Sequence, residues 1–154
     1  MYRFYKGNAN LVREQVTKVI KDNLVLDGLD LKVNSAKDFV LMNPRVKNKP
    51  YLVVFLTNYT QNTNRSKESV LIEYTFTCET YIDYQELSGS KPSVTYNLID
   101  QINTIIYNNR DLLSTEDFEV YIVNLGNVMF DKISMNGNMK WFGKSTFTLT
   151  CGFK

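Results

Sequence analysis

The sequence predicts an α+β fold: a mostly antiparallel sheet with two helices packed on one face and a long projecting β-hairpin. Three observations carry this. Residues 8–23 and 93–108 place apolar side chains at helical spacing. Several other segments alternate with a period of two. The order is helix, strands, long hairpin, helix, strands, and the hairpins imply antiparallel pairing. The chain has 154 residues, 44% of them apolar. That is enough for one core, and residues 1–154 read as a single domain without repeats or low-complexity blocks.

In the first helix, Asn8 or Asn10 is placed to cap and Leu11 lies in the first turn. Val12, Val16, Val19 and Ile20 form the apolar stripe, while Arg13, Glu14, Lys18 and Lys21 face away. Residues 24–50 are of mixed polarity. Leu29, Leu31 and Val33 alternate with Asp30 and Lys32 as a short strand, and Phe39–Met42 is a candidate for another. Asn43-Pro44 and Lys49-Pro50 mark turns.

Residues 51–60, YLVVFLTNYT, form a strand whose apolar run at 51–56 implies burial on both faces. NTNRSKES, residues 62–69, is polar and reads as an irregular loop. Residues 69–84 then carry the longest alternation. Val70, Ile72, Tyr74, Phe76, Cys78 and Ile82 share one face; Leu71, Glu73, Thr75, Thr77, Glu79 and Tyr81 share the other, expected in solvent. The second helix is capped at Ser93 and striped by Tyr96, Leu98, Ile99, Ile102, Ile105 and Ile106, fraying through Asn108 and Asn109. In the last third, Phe118–Val123 alternates, Leu125-Gly126-Asn127 ends that strand, and Val128–Ile133 forms another. Asn136-Gly137 is the preferred pair for a type I′ hairpin turn. Phe147, Leu149, Cys151 and Phe153 alternate with Thr146, Thr148, Thr150 and Gly152 to the end.

The chemistry is sparse. There is no histidine, which removes the commonest general base and the usual nucleophile and zinc systems. Neither phosphate-binding glycine motif is present. Glu73 and Glu79 are six residues apart on one strand, too far to act as a carboxylate pair at ~3.3 Å per residue. Glu116 and Asp117 are neighbours, so a strand would send them to opposite faces. Cys78 and Cys151 lie in apolar alternations and read as inert core thiols. No catalytic residue, metal ligand or cofactor site is expected, and the chain reads as a non-enzyme. A net charge of +2 argues against a basic nucleic-acid face. No signal-peptide pattern or membrane span is evident, so a reducing cytoplasm is the expected compartment. The sequons at Asn58-Tyr59-Thr60 and Asn64-Arg65-Ser66 are set aside for the same reason.

Aromatic residues make up 13% of the chain, with ten Tyr and nine Phe, a composition common at protein interfaces. The segment 57–69 concentrates interface chemistry in Tyr59, Gln61, Asn62, Asn64, Arg65 and Lys67. These residues read either as a partner-binding arm or as a solvated hairpin end.

Taken together, several features resemble the tail terminator (tail completion) proteins of long-tailed bacteriophages and related contractile particles. They are the first helix, the strand entered through Lys49-Pro50-Tyr51-Leu52-Val53-Val54, the Tyr74-x-Phe76-x-Cys78 strand, the helix Tyr96–Ile106 and the terminal Phe147-x-Leu149-x-Cys151-x-Phe153. The resemblance runs from about residue 8 to 153 and rests on patterns of residue type; residues 34–49 fit it least and read as an insertion. It implies a homohexameric ring in the virion that caps the tail tube at its head-proximal end. The implied partners are the tail tube protein, a head-completion or connector protein and, in contractile tails, the sheath protein. DNA would only pass through the lumen, no membrane is involved, and assembly occurs in the host bacterial cytoplasm. The competing readings are a head-completion or other tail component, and a small nucleic-acid-binding module.

Overall fold

The computed structural model describes residues 8–26, 31–34, 50–66, 69–83, 93–135 and 137–153. The elements are α1 (Asn8–Asn23), β1 (Lys32–Asn34), β2 (Tyr51–Ser66), β3 (Ser69–Asp83), α2 (Ser93–Asn108), α3 (Arg110–Leu113), β4 (Phe118–Met135) and β5 (Asn138–Phe153). They form a five-stranded sheet in the order β1-β2-β3-β5-β4. β1 runs parallel to β2, and every other neighbour is antiparallel. The fold is α+β, as the alternation and helical spacings require.

One face of the sheet is covered by the helices. Val12, Val16, Val19 and Ile20 of α1 and Leu98, Ile99, Ile102, Ile105 and Ile106 of α2 pack with Ile72, Tyr74, Phe76, Cys78, Phe147, Leu149 and Cys151. The Phe76 and Phe147 rings are cross-strand partners, stacked with centroids 5.6 Å apart. Each such side chain fully removed from water contributes roughly 1.5–3 kcal/mol. α2 approaches β5 closely because position 143 lacks a side chain. A Cβ on Gly143 would come within 2.8 Å of Ile99 Cγ1, Thr80 Oγ1 and Thr95 Cγ2. Side-chain amides tie the helical layer together: Gln15 donates to the Leu112 carbonyl (2.8 Å), and Gln101 both accepts from the Val25 N–H (2.9 Å) and donates to its carbonyl (3.1 Å).

Several expectations are corrected. Asn10 lies inside α1, bonded to the Glu14 and Arg13 side chains, and does not cap it. The segment taken as an irregular loop after Thr60 continues as strand to Ser66, and β3 resumes at Ser69, opposite Ser66. Polar β residues hold a ladder when a partner strand supplies the hydrogen bonds, which residue polarity alone does not reveal. The β2–β3 hairpin belongs to the sheet as far as Leu71, which pairs with Gly152 of β5. Within the apolar run 51–56, only Tyr51–Val54 are buried, and Phe55 and Leu56 are half-buried. The helix after Asn109, α3, was not anticipated. Tyr96 is exposed and does not belong to the α2 stripe. The 39–42 strand and the turn at Asn43-Pro44 lie outside the described residues, as does Leu29.

The last third also differs. β4 is one strand of 18 residues, not two. Gly126 and Asn127 fall in a bulge between Leu125 and Val128, and a second bulge falls between Val120 and Ile122. A bulge adds one residue and shifts the alternation without ending the strand. Phe118 and Val120 are therefore in the core, while Ile122 is exposed and Val123 takes over the inward position. Met135 pairs with Asn138, and Gly137 has φ 82°, so the two-residue turn is where Asn-Gly predicted it.

The second face of β3 is solvated at Glu73, as expected, but is buried from Thr77 through Glu79 to Tyr81. Tyr51, Val53, Tyr81 and Phe142 form a smaller cluster there, with Phe55 and Ile133 beside it. Tyr51 and Tyr81 stack at 4.8 Å. Glu79 is 5% and Lys140 1% exposed. The Tyr81 hydroxyl donates to Glu79 Oε2, and the Lys140 ammonium lies 5.8 Å from the Tyr51 ring centroid. A carboxylate buried in this way is held by its hydrogen-bonding partners and is unavailable to substrate. The alternation identified the face correctly. What lies over it could not be read from one strand's pattern.

Three tests follow from this packing. Cys78 and Cys151 are fully buried. Burial raises both thiols, Cys78 also feeling Glu79 and Cys151 reaching about 12. Native protein should resist a thiol reagent at pH 8, and both cysteines should react in denaturant. Gly143→Val should destabilise the fold by about 1–3 kcal/mol, read as a lower denaturant midpoint, because α2 cannot retreat without uncovering the core. Burial, with the Glu79 charge adding, raises the Tyr51 phenol from 10.0 to about 12. A raised phenol favours the fold while neutral, so that contribution is intact below about pH 10 and is lost as pH climbs toward 12. The denaturation midpoint should fall above pH 10, and Tyr51→Phe should flatten the decline.

Candidate functional site

The outstanding surface feature is the outer edge of the sheet. β4 ends the strand order, so its side away from β5 has no strand beside it among the described residues. Edge strands in soluble proteins are ordinarily short, charged or covered. This one carries Ile122, Leu125, Val128, Met129 and Phe130, each between 39% and 51% exposed. Scattered exposed apolar residues are normal, but five along one strand make this edge the candidate interaction surface.

The local sequence explains the exposure. After the Leu125–Val128 bulge, register with β5 is regular from Val128 opposite Ser145 to Met135 opposite Asn138. Phe130, opposite Gly143, lies on the helix side, where its ring meets Tyr96 edge-on at 4.6 Å. Lys132, opposite Trp141, places its ammonium 5.1 Å from the indole centroid. Met129 and Ile133 alternate with these on the far side, where Ile133 packs beside Tyr51 and Phe142. Val128-Met129-Phe130 thus presents apolar groups on both faces of a strand with a free edge. At the start of β4 the edge is partly closed, because Arg110 Nη1 of α3 donates to the Tyr121 carbonyl at 3.1 Å. A shallow groove lined by Tyr107, Arg110, Tyr121 and Ile122 runs beside this point.

The residues singled out from sequence lie at the other edge. Tyr59 is exposed, its ring 5.8 Å from that of Tyr74. Gln61 is exposed on β2. Asn62, Asn64 and Arg65 are in β2, but their side chains lie outside the described residues, as does Lys67 altogether. β3 and β5 separate β2 from β4, so this group and the β4 patch do not meet within one chain. The β4 patch was missed. Its signal was present in three consecutive apolar residues at 128–130 followed by Asp131-Lys132, a run that does not alternate and so cannot be wholly buried in a one-faced strand.

Among the described residues, the carboxylates weighed from the sequence do not converge on one site. Glu79 is bonded to Tyr81, Glu73 is exposed on β3, and Glu116 and Asp117 occupy the bend before β4, where the Asp117 N–H donates to Thr115 Oγ1 at 3.1 Å. Among the described residues, no three of His, Cys, Asp and Glu form a group able to hold a metal ion.

The sequence matches no protein-family model and no curated protein. Its fold is similar to that of a chain in the virion of a native gene transfer agent particle, at 11% sequence identity and a TM-score of 0.66. The similarity covers 96% of this chain and 99% of that one, so the two share one fold over nearly their whole lengths.

Proposed function

We propose that the chain is a structural protein of a phage-like particle, and within that particle the tail terminator. In this reading it closes into a ring, six copies in the homohexameric form, on the head-proximal end of the tail tube, halts tube growth and presents a surface to the head. The observation that carries the reading is the end-to-end fold likeness to a chain of a gene transfer agent virion. The order of helices and strands, which resembles that of tail terminators, supports the narrower role. An exposed apolar edge at β4 suits a protein whose task is to be bound. The role requires no chemistry, and we place the chain among non-enzymes, with the tail tube protein and a head-completion or connector protein as its partners.

The test is genetic and visual. Deleting the gene from its particle operon and imaging tails by electron microscopy should give overlong or ragged tails that fail to join heads, corrected by restoring the protein. Normal tails joined to heads would overturn the proposal. Normal-length tails with leaking heads would replace it with a head-completion role.

A further inference from the structure

We propose that copies of this chain join head to tail by sheet extension, the outer edge of β4 in one copy pairing antiparallel with the free edge of β2 in the next. This rests on the ring proposed above and names the surfaces that would build it.

Among the described residues, each chain has two sheet edges with no strand beside them. On one side is the outer edge of β4, with Ile122, Leu125 and Val128–Phe130 exposed along it. On the other, β1 pairs only with Tyr51, Leu52 and Val53. Among the described residues no strand continues along β2 past that point, and Thr57–Gln61 are exposed. Strand direction makes the two edges compatible. β2, β3, β5 and β4 are successive antiparallel neighbours, so β4 runs opposite to β2. Copies placed side by side in one orientation therefore bring β4 against β2 in antiparallel sense, continuing the pattern of the sheet. Both edges have straight stretches for pairing: Val128–Met135 keeps register with β5, and Asn58–Asn62 keeps register with β3. Traced across the ladders, Met129 stands level with Val53, which β1 occupies, and Asn58 with Asn124. Pairing these stretches therefore slides each copy along the strands past β1 by ~17–23 Å at ~3.3 Å per residue, a stagger that strands tilted to a ring axis provide.

Two alternatives are less favourable. A symmetric β4–β4 dimer would cover one edge and leave β2 open in both copies, whereas head-to-tail pairing covers both edges of every interior copy, and of all copies when the ring closes. A foreign strand on β4 would likewise leave β2 exposed. Head-to-tail contact also accounts for Tyr59 and Gln61, which would lie beside the apolar stretch of the neighbouring copy.

Cysteine pairing reads both the partner strand and the face. Met129, Asn58 and Thr60 point to the side of the sheet away from the helices, because Met129 alternates with Phe130, and Asn58 and Thr60 oppose Thr75 and Glu73. Tyr59 and Gln61 point to the helix side. Met129→Cys combined with Asn58→Cys or Thr60→Cys should give a disulfide-linked ladder of multimers under mild oxidation. Met129→Cys with Tyr59→Cys or Gln61→Cys should give none, since cross-strand pairs must share a face. The native cysteines are buried and stay out of the reaction. The experiment is run on the purified chain at high concentration and on assembled particles.

Dimers from Met129→Cys alone would overturn the proposal in favour of symmetric pairing, and no ladder in either setting would overturn it outright. Val128→Lys should weaken association at least about tenfold while the monomer stays folded, because the side chain is already in water. Unchanged association would also overturn it. The ladder and the tail phenotype separate the two readings: a ladder with normal tails keeps the interface and rejects the terminator role, and defective tails without a ladder do the reverse.

Discussion

The ladder between β3 and β5 is the constraint on which the rest of the molecule rests. It runs from Leu71 opposite Gly152 to Asp83 opposite Lys140 without a register shift. The long pairings on either side, β2 with β3 and β5 with β4, are each interrupted by shifts. A one-residue slip in the central pair would exchange its two faces and place Glu79 where Phe76 and Cys78 now meet the helices. The stacked Phe76 and Phe147 rings set that register from the inside. With the centre fixed, the outer strands are free to bulge, and they do so where the sheet meets solvent.

The same ladder positions the helical layer. Gly143 lies on β5 opposite Thr80, and α2 rests where its side chain would be. Close contact there seats Ile99 and Ile102 over the core. α1 and α3 then dock through side-chain amides and short apolar contacts. The helices contribute burial, the central strands contribute register, and the edge strands are left with surface that neither layer covers.

Much of this was legible in the sequence. Both long helices, the hairpin turn at Gly137 and the core faces of β3 and β5 follow from periodicity, because each buries one face against one neighbour. The failures share a cause. Polarity at 62–66 hid a strand because backbone pairing is invisible in side-chain pattern. The bulges in β4 hid its continuity, because they change the phase of the alternation. Burial of Glu79 and Lys140 depends on what lies across the second face, which no single segment encodes. The β4 patch escapes the sequence for a related reason. Tyr, Arg and amides in a polar segment carry contact chemistry on their face, while an apolar run at 128–130 has the composition of an ordinary strand. Its significance depends on β4 being the last strand in the sheet, a fact of topology.

The edge of β4, with no strand beside it among the described residues, also bears on how the free chain would behave under the proposed contact. A head-to-tail contact contains no instruction to stop. If the rotation between neighbours closes, the product is a ring; if it falls short, the same contact propagates as an open filament. Asp131 and Lys132, directly after the apolar run, are the charged residues positioned to discourage that outcome. Under the proposed contact, overproduction of the free chain would favour open filaments, and neutralising Asp131 and Lys132 would favour them further.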